Sequence, residues 1–469
     1  MLFNSLKFLL FFPLIFFVYW LIPVKYHQWR KMFLIIVSYL LYMNWKPSFA
    51  LVLLGVTLVT YWGGQILYLR GEERKRKRLA WLFALIGLLP LLVFKYYNFL
   101  NDSISDGLAA IGLQLSLSGL NWAVPVGISF FTFQAVGYML DVYHGRIQKE
   151  DNILDYVLFV SFFPQVASGP ISKASELLPQ IKTAKTFNYV QAVSGLRYLL
   201  WGMFLKVALA DRAGIYVDTV FAEYTKFSGA GCFIGSLLYS IQIYADFAGY
   251  SLMAVGLGKT LGFDLINNFR RPYFSVSITD FWRRWHISLS RWLKDYVYIP
   301  LGGSRCSKLR NYWNIFVTFL VSGIWHGANW TFIVWGILHG VCQIIEKMFG
   351  WNKKEYKGIS KIARIVITFL IVTIAWTIFR SPSIGETFGY FARYLSMSGK
   401  LIAEGSTLVY IIMALIPVVL YEVMTEFFPA MFNKLYGKQW LRWCAYLAVF
   451  TMMMLIGVFD GSSFIYVSF

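Results

Sequence analysis

Apolar runs long enough to cross a bilayer recur along the whole chain, from "FLLFFPLIFFVYWLI" at residues 8–22 to "YLAVFTMMMLIGVF" at 446–459. About 20 apolar residues in helical form cross a hydrocarbon core about 30 Å thick. Lipid offers backbone N–H and C=O groups no partner, so repeated spans of this kind must satisfy their hydrogen bonds internally and fold as helices. Of 469 residues, 58% are hydrophobic and 14% charged, against about 25% charged in an ordinary soluble domain. The expected fold class is an all-α polytopic membrane protein. No small-residue cleavage site follows the first run, so residues 9–22 read as a retained helix rather than a removed signal peptide.

The formal net charge of +20 is explained by Lys and Arg on cytoplasmic loops, since no basic tail or aromatic RNA-binding motif is present. Thirty tyrosines and eighteen tryptophans suit interfacial anchoring. Cys232, Cys306, Cys342 and Cys444 are widely spaced, which suggests neither a disulfide framework nor a zinc site, and no other metal site is expected.

Six basic stretches should face the cytoplasm: "KYHQWRK" (25–31), "RGEERKRKR" (70–78), "HGRIQK" (144–149), 267–295, 347–364 and 434–442. The less basic 101–107, 211–226 and 381–408 should face outside. These sides alternate correctly only if "LDYVLFVSFFPQVASGP" (154–170) enters and returns, broken at Pro164, Gly169 and Pro170. Irregular backbone at that depth must be buried in protein or line a cavity. About twelve crossings follow, with both termini outside. No internal period or long linker divides the chain, so residues 1–469 read as one unit.

Ionisable groups inside apolar segments are costly and mark candidate sites. His27 and His144 lie in basic loops and read as solvated. The remaining histidines, His286, His326 and His339, cluster within 54 positions. His286 sits in "SITDFWRRWHISLSRWLKD", where Ser277 and Asp280 form a capping box. The helix expected over 280–295 places Trp282, Trp285, Leu289 and Trp292 on one face and Arg284, Ser288, Arg291 and Asp295 on the other. His286 falls at the margin of the tryptophan stripe. That pattern predicts an interfacial amphipathic helix, tryptophans inserted and arginines toward phosphate.

In "FVTFLVSGIWHGANWTFIVWGILHG" (316–340), a helix from Trp313 reaches Trp325 after about 20 Å, which leaves His326 inside the slab. Gly323 and Gly327 leave room beside the imidazole for a substrate or a neighbouring helix. Burial disfavours imidazolium, so His326 is expected neutral and able to act as a general base. His339 reads as packing. Asp246, in "QIYADFAGYS", needs a partner: an arginine of the 283–291 segment, a histidine to orient, or a proton relay. "YIPLGGSR" (298–305) is a turn whose amides could hold phosphate. GxSxG, HExxH, P-loop and paired-carboxylate signatures are missing, so serine, zinc, nucleotide-hydrolysing and glycosidase chemistry have no support. A transporter would show an inverted repeat and several intramembrane acids, where this chain has one broken segment and essentially one buried acid.

With "PVGISFFTFQAVGYMLDVY" (125–143), "FFPQVASGPI" (162–171), "YADFAGYS" (244–251), "LGFDLINNFRRPYFSVSITDFWRRWHISLSRWLKDYVYIPLGGSR" (261–305), "GIWHGANWTFIVWGILHG" (323–340) and "FIYVSF" (464–469), the chain resembles the membrane-bound O-acyltransferase (MBOAT) family, in its alginate O-acetyltransferase (AlgI-like) branch. The resemblance implies an MBOAT-type helical bowl with a central tunnel, multi-pass in the bacterial inner membrane. It implies a cytoplasmic acyl donor, acetyl-CoA or an acyl carrier, no permanently bound cofactor, and a glycan acceptor or a periplasmic or extracellular acetyltransferase partner. The family's catalytic histidine falls on His326 and its second polar motif on His286, which makes both catalytic candidates. Asp246, Trp282, Trp285, Trp325 and Asn329 are candidates for the tunnel and its surroundings, and Arg283, Arg284 and Arg291 for the donor phosphates. "DFAGYSLMA" departs from the usual "DFSGYSDMA" at Ala248 and Leu252, and "NFRRPYFS" from "NFNSPYKA". D-alanyl or other acyl transfer to teichoic acid or peptidoglycan is the nearest alternative.

Overall fold

The computed structural model describes residues 3–68, 72–113 and 118–459. Residues 70–71 of the second basic loop and the terminal "FIYVSF" lie outside them. Among the described residues the chain is all-helical, with a single isolated bridge, Phe227 to Lys400, and no named strand.

The first apolar run forms α1 (Leu6–Leu21), which Pro23 ends by forcing Ile22 into extended backbone. After a single 3₁₀ turn the chain continues as α2 (His27–Met43), bent by 105° from α1. The buried Arg30 guanidinium holds this corner, donating to Ile22 O at 2.7 Å and Lys185 O at 2.6 Å. Helices α3 (Pro47–Tyr68) and α4 (Glu73–Leu91) follow. A π turn at Leu92–Tyr96 links α4 to α5 (Tyr97–Ala110), making one 38-residue rod.

Helix α6 (Ile128–Tyr143) begins at Gly127, whose φ is +73° and where a Cβ would lie 2.2 Å from Val166 O. Only glycine fits that start. The segment expected to re-enter becomes α7 (Ile153–Ser161) and α8 (Phe163–Val166), of nine and four residues. Most of its side chains are buried in protein. A short amphipathic α9 (Ala174–Lys182) follows.

Helix α10 (Tyr189–Phe204) runs through a π turn into α11 (Asp211–Ala222). It packs on α12 (Gly229–Thr260), a 32-residue helix about 48 Å long and buried on nearly every side. Two reciprocal glycine contacts seven residues apart set this approach. A Cβ on Gly195 would meet Gly256 O at 2.6 Å, and one on Gly202 would meet Gly249 O at 2.6 Å. Small residues give close van der Waals packing where lipid supplies no hydrophobic drive.

The remaining helices are α13 (Ile278–Arg284), α14 (Ile287–Leu293), α15 (Lys308–His326), α16 (Trp330–Met348), α17 (Gly358–Arg380), α18 (Ile384–Arg393), α19 (Gly405–Phe427), α20 (Pro429–Gly437) and α21 (Gln439–Ile456). Among the described residues, 6 helices are long and apolar enough to cross a membrane: α3, α4–α5, α10–α11, α17, α19 and α21. The bent α1–α2 pair brings the number to 7. This is fewer than the twelve expected. The 16-residue α6 and the long, glycine-rich, polar-studded α12 are enclosed by protein and are not among them.

Candidate active site

The expected continuous helix over 280–295 is two helices. Ser277 caps α13, its Oγ accepting the Asp280 amide at 3.0 Å. Glu346 of α16 accepts the Ile278 and Thr279 amides at 2.6 and 3.0 Å. The helix stops at Trp285, which is extended, and His286 takes left-handed backbone with φ +43°. A neighbouring segment takes over the freed groups: Ile287 N donates to Asn268 O at 2.9 Å and Ser288 N to Asn268 Oδ1 at 3.1 Å. Arg270 N donates to Arg284 O at 2.9 Å. This kink turns Trp285 and His286 into the core, where both are 0% exposed. The tryptophans therefore insert into protein and not into the interface.

His326 ends α15, and Gly327 continues in extended backbone with φ −174°. The two glycines beside it make room for α16. A Cβ on Gly323 would meet Phe332 O at 2.4 Å, and one on Gly327 would meet the Phe332 ring at 2.1 Å. Between the two histidines stands Trp325. Its ring centroid is 4.9 Å from that of His326 and 5.8 Å from that of His286. Trp335 and Phe379 close the far side of His326, at 4.9 and 5.3 Å. Phe247 and Phe130 flank His286, at 4.7 and 6.1 Å. Neither ring nitrogen of His286 meets a hydrogen-bond partner among the described residues.

A cleft at the start of α6, lined by Val126–Phe130, reaches His326, Trp325 and Lys95 but not His286. A second cleft lies along the other end of α6, among Phe133, Asp141, Lys173, Arg291, Trp292 and Tyr296. Phe133 lines the second cleft and touches Trp325, which lines the first. It stacks on Trp292 at 3.7 Å between centroids and packs on Trp325 at 5.6 Å, and the Trp292 indole donates to Phe133 O at 2.8 Å.

The other residues singled out in the sequence lie as follows. His339 accepts from the Trp282 indole at 3.3 Å inside a ring of aromatics. Trp285 packs on Phe281 and Trp376. Asn329 caps α16, accepting the Thr331 amide at 3.0 Å and donating to Pro382 O at 2.8 Å. Asp246 pairs with Lys206 at 2.6 Å, and among the described residues no ion pair joins it to an arginine of 283–291. Arg284 is engaged by Asp280 at 3.1 Å and Glu426 at 2.8 Å, and Arg291 by Glu176. Arg283 is exposed, with no ion pair to a described residue. In the "YIPLGGSR" turn the Gly302 and Gly303 amides are spent on Ile299 O and Tyr298 O, so they are not free for phosphate. All four cysteines are unbridged. Among the described residues, no group of three or more His, Cys, Asp or Glu side chains could hold a metal.

The sequence reading missed Lys95 and Tyr96. Lys95 Nζ donates to Trp325 O at 3.0 Å and His326 O at 2.7 Å, and the Tyr96 hydroxyl to Ile324 O at 2.5 Å. The signal was present, because "LLVFKYYNFL" sets a lysine in an apolar run, the same anomaly that singled out Asp246.

The profile of the membrane-bound O-acyltransferase family matches residues 147–381. The probable alginate O-acetylase AlgI of Pseudomonas syringae pv. tomato is 40% identical over 386 residues, 82% of this chain and 73% of that protein. The peptidoglycan O-acetyltransferase of Helicobacter pylori is 34% identical, covering 82% of this chain and 78% of its own length. The teichoic acid D-alanyltransferase of Bacillus subtilis is 29% identical, covering 70% and 84%.

Proposed function

The chain belongs to the membrane-bound O-acyltransferase family, and we propose that it moves an acetyl group from a cytoplasmic donor toward hydroxyls of an extracytoplasmic polysaccharide, with His326 as general base. It is a multi-pass membrane O-acyltransferase. The observation that carries the finer reading is the position of His326, enclosed by aromatic rings yet lining a cleft. A neutral imidazole there accepts the proton of an incoming hydroxyl. The hydroxyl oxygen attacks the acyl carbonyl, the bond to the donor breaks, and the imidazolium returns its proton to the leaving group. Such acid–base assistance contributes roughly 10²–10⁴-fold in rate. The His286 ring, across Trp325 and with no hydrogen bond to its nitrogens among the described residues, is the second acid–base candidate.

The proposed path is a tunnel through the centre of a helical bowl. Its inner mouth is the cleft of Lys173 and Arg291, its outer mouth the cleft of His326, and Phe133 the partition. Basic loops beside the cleft of Lys173 and Arg291 favour that end as cytoplasmic. About twelve crossings, counting short enclosed helices, and a bacterial inner-membrane location belong to this reading. Acetyl-CoA or an acyl carrier is the proposed donor.

The higher identity to the alginate O-acetylase favours an alginate-like exopolysaccharide. The lower identities to the peptidoglycan and teichoic acid enzymes make other cell-envelope polymers, and D-alanyl transfer, the second reading. A periplasmic or extracellular acetyltransferase could take the group in a hand-off. The test supplies labelled acetyl-CoA to the cytoplasmic side of membranes containing the protein and follows label into external polymer. Label should appear with wild type and fall at least 100-fold with His326→Ala at matched expression. Equal transfer in both removes His326 from the chemistry.

A further inference from the structure

Three successive carbonyls at the end of α15 are bound by side chains from a different part of the chain. The Tyr96 hydroxyl takes Ile324 O at 2.5 Å, and Lys95 Nζ takes Trp325 O at 3.0 Å and His326 O at 2.7 Å. The last four carbonyls of a helix have no partner within it. Many helices satisfy them by turning the next residue left-handed, so that following amides fold back. Here Gly327 is extended, and the chain leaves His326 without that closure. The cap is brought in from the π turn at Leu92–Tyr96, which follows Pro90, a residue with no N–H to give to the α4 hydrogen-bond ladder. Such turns accommodate an extra residue and recur at functional sites.

Lys95 is more than filler for a gap. No carboxylate of a described residue forms an ion pair with it, and an ammonium in an apolar span is costly unless bound. Its partners are the two carbonyls at the negative end of the α15 dipole. It also lines the same cleft as His326.

We infer that Lys95, with Tyr96 beside it, is the positioning residue for His326. It fixes the direction in which the imidazole enters the cleft by holding the carbonyls of His326 and the residue before it. This rests on His326 as general base. Displacing a reacting group by about 1 Å can cost on the order of 100-fold in rate, so the effect belongs to turnover and not to donor binding.

The test measures kcat and donor KM for acetyl transfer, with thermal unfolding in detergent, for Lys95→Met, Lys95→Arg, Tyr96→Phe and His326→Ala. Methionine keeps the length and apolar bulk of the stem but donates nothing. Lys95→Met should lower kcat by about 10- to 100-fold with donor KM and unfolding temperature close to wild type. Lys95→Arg, which can donate to both carbonyls, should recover most of the loss. Tyr96→Phe removes one hydroxyl and should lower kcat by less than Lys95→Met. Wild-type kcat in Lys95→Met, or equal loss in the Met and Arg variants, overturns the inference. If Lys95→Met does not fold, wild-type kcat in Tyr96→Phe together with no gain of Arg over Met in recovered activity overturns it as well. A dead His326→Ala beside a fully active Lys95→Met removes only the positioning role. An active His326→Ala removes the general-base reading itself.

Discussion

Lys206 sets its ammonium 2.6 Å from the Asp246 carboxylate, joining the π turn after α10 to the middle of α12, and 2.7 Å from Asp211. All three side chains are buried. Removing one partner of a buried pair leaves the other charge uncompensated, which costs about 3–5 kcal/mol. Lys206→Met removes the ammonium that two buried carboxylates share and should lower the unfolding temperature sharply. Asp246→Asn leaves Lys206 with Asp211 and should cost clearly less. The comparison of their unfolding curves in detergent is the check, and equal loss would mean that Asp211 does not hold Lys206 on its own.

The backbone of His286 gives a second, separable prediction. A non-glycine residue in left-handed conformation costs roughly 1–2 kcal/mol, and His286 has φ +43°. His286→Gly relieves that cost while deleting the ring, whereas His286→Ala deletes the ring and keeps it. The glycine variant should therefore unfold at the higher temperature. Acetyl transfer should fall in both if the imidazole acts chemically. Wild-type transfer in His286→Gly would reduce this residue to a hinge between α13 and α14.

Much of the molecule could be read before any coordinates. The apolar runs announced a helical membrane protein, and "GIWHGANW" announced a helix ending in a histidine with glycines beside it. What stayed hidden was non-local. The periodicity of Trp282, Trp285, Leu289 and Trp292 fits one helix, and the break at His286 arises from Asn268, nearly twenty residues upstream, which takes the Ile287 and Ser288 amides. Asp246 in an apolar helix needs a partner, and Lys206, which pairs with it, lies 40 positions earlier, in the turn that follows a helix packed close through Gly195 and Gly202. The arginines looked available for phosphate because Glu176 and Glu426, far away in sequence, could not be seen closing on Arg291 and Arg284.

That last difference separates Arg284 from Arg283 by experiment. Arg284 lies in partly exposed ion pairs with Asp280 and Glu426, which are worth up to about 1 kcal/mol. Arg284→Ala should lower stability by about that much. Arg283 is exposed and makes no ion pair with a described residue, so Arg283→Ala should leave the unfolding temperature unchanged. As a donor-phosphate contact it should raise the KM for acetyl-CoA severalfold, reading out in steady-state kinetics. An unchanged KM removes Arg283 from donor binding.

The glycines flanking His326 differ in what they would strike. A Cβ on Gly323 meets backbone, Phe332 O at 2.4 Å and Gly336 Cα at 3.2 Å, so α15 and α16 would have to part. A Cβ on Gly327 meets the Phe332 ring at 2.1 Å, and that ring is itself packed on Phe379 at 4.7 Å. Overpacking of this kind costs about 1–3 kcal/mol, and both Gly323→Ala and Gly327→Ala should lower stability and acetyl transfer. Shortening the obstructing ring with Phe332→Leu should rescue Gly327→Ala, since the clash is with side-chain atoms. The same second change should not rescue Gly323→Ala, where the obstacle is the Phe332 carbonyl. Unfolding temperature and transfer rate of the two double variants decide the matter, and equal rescue in both would show that the helices separate more readily than their glycine contact implies.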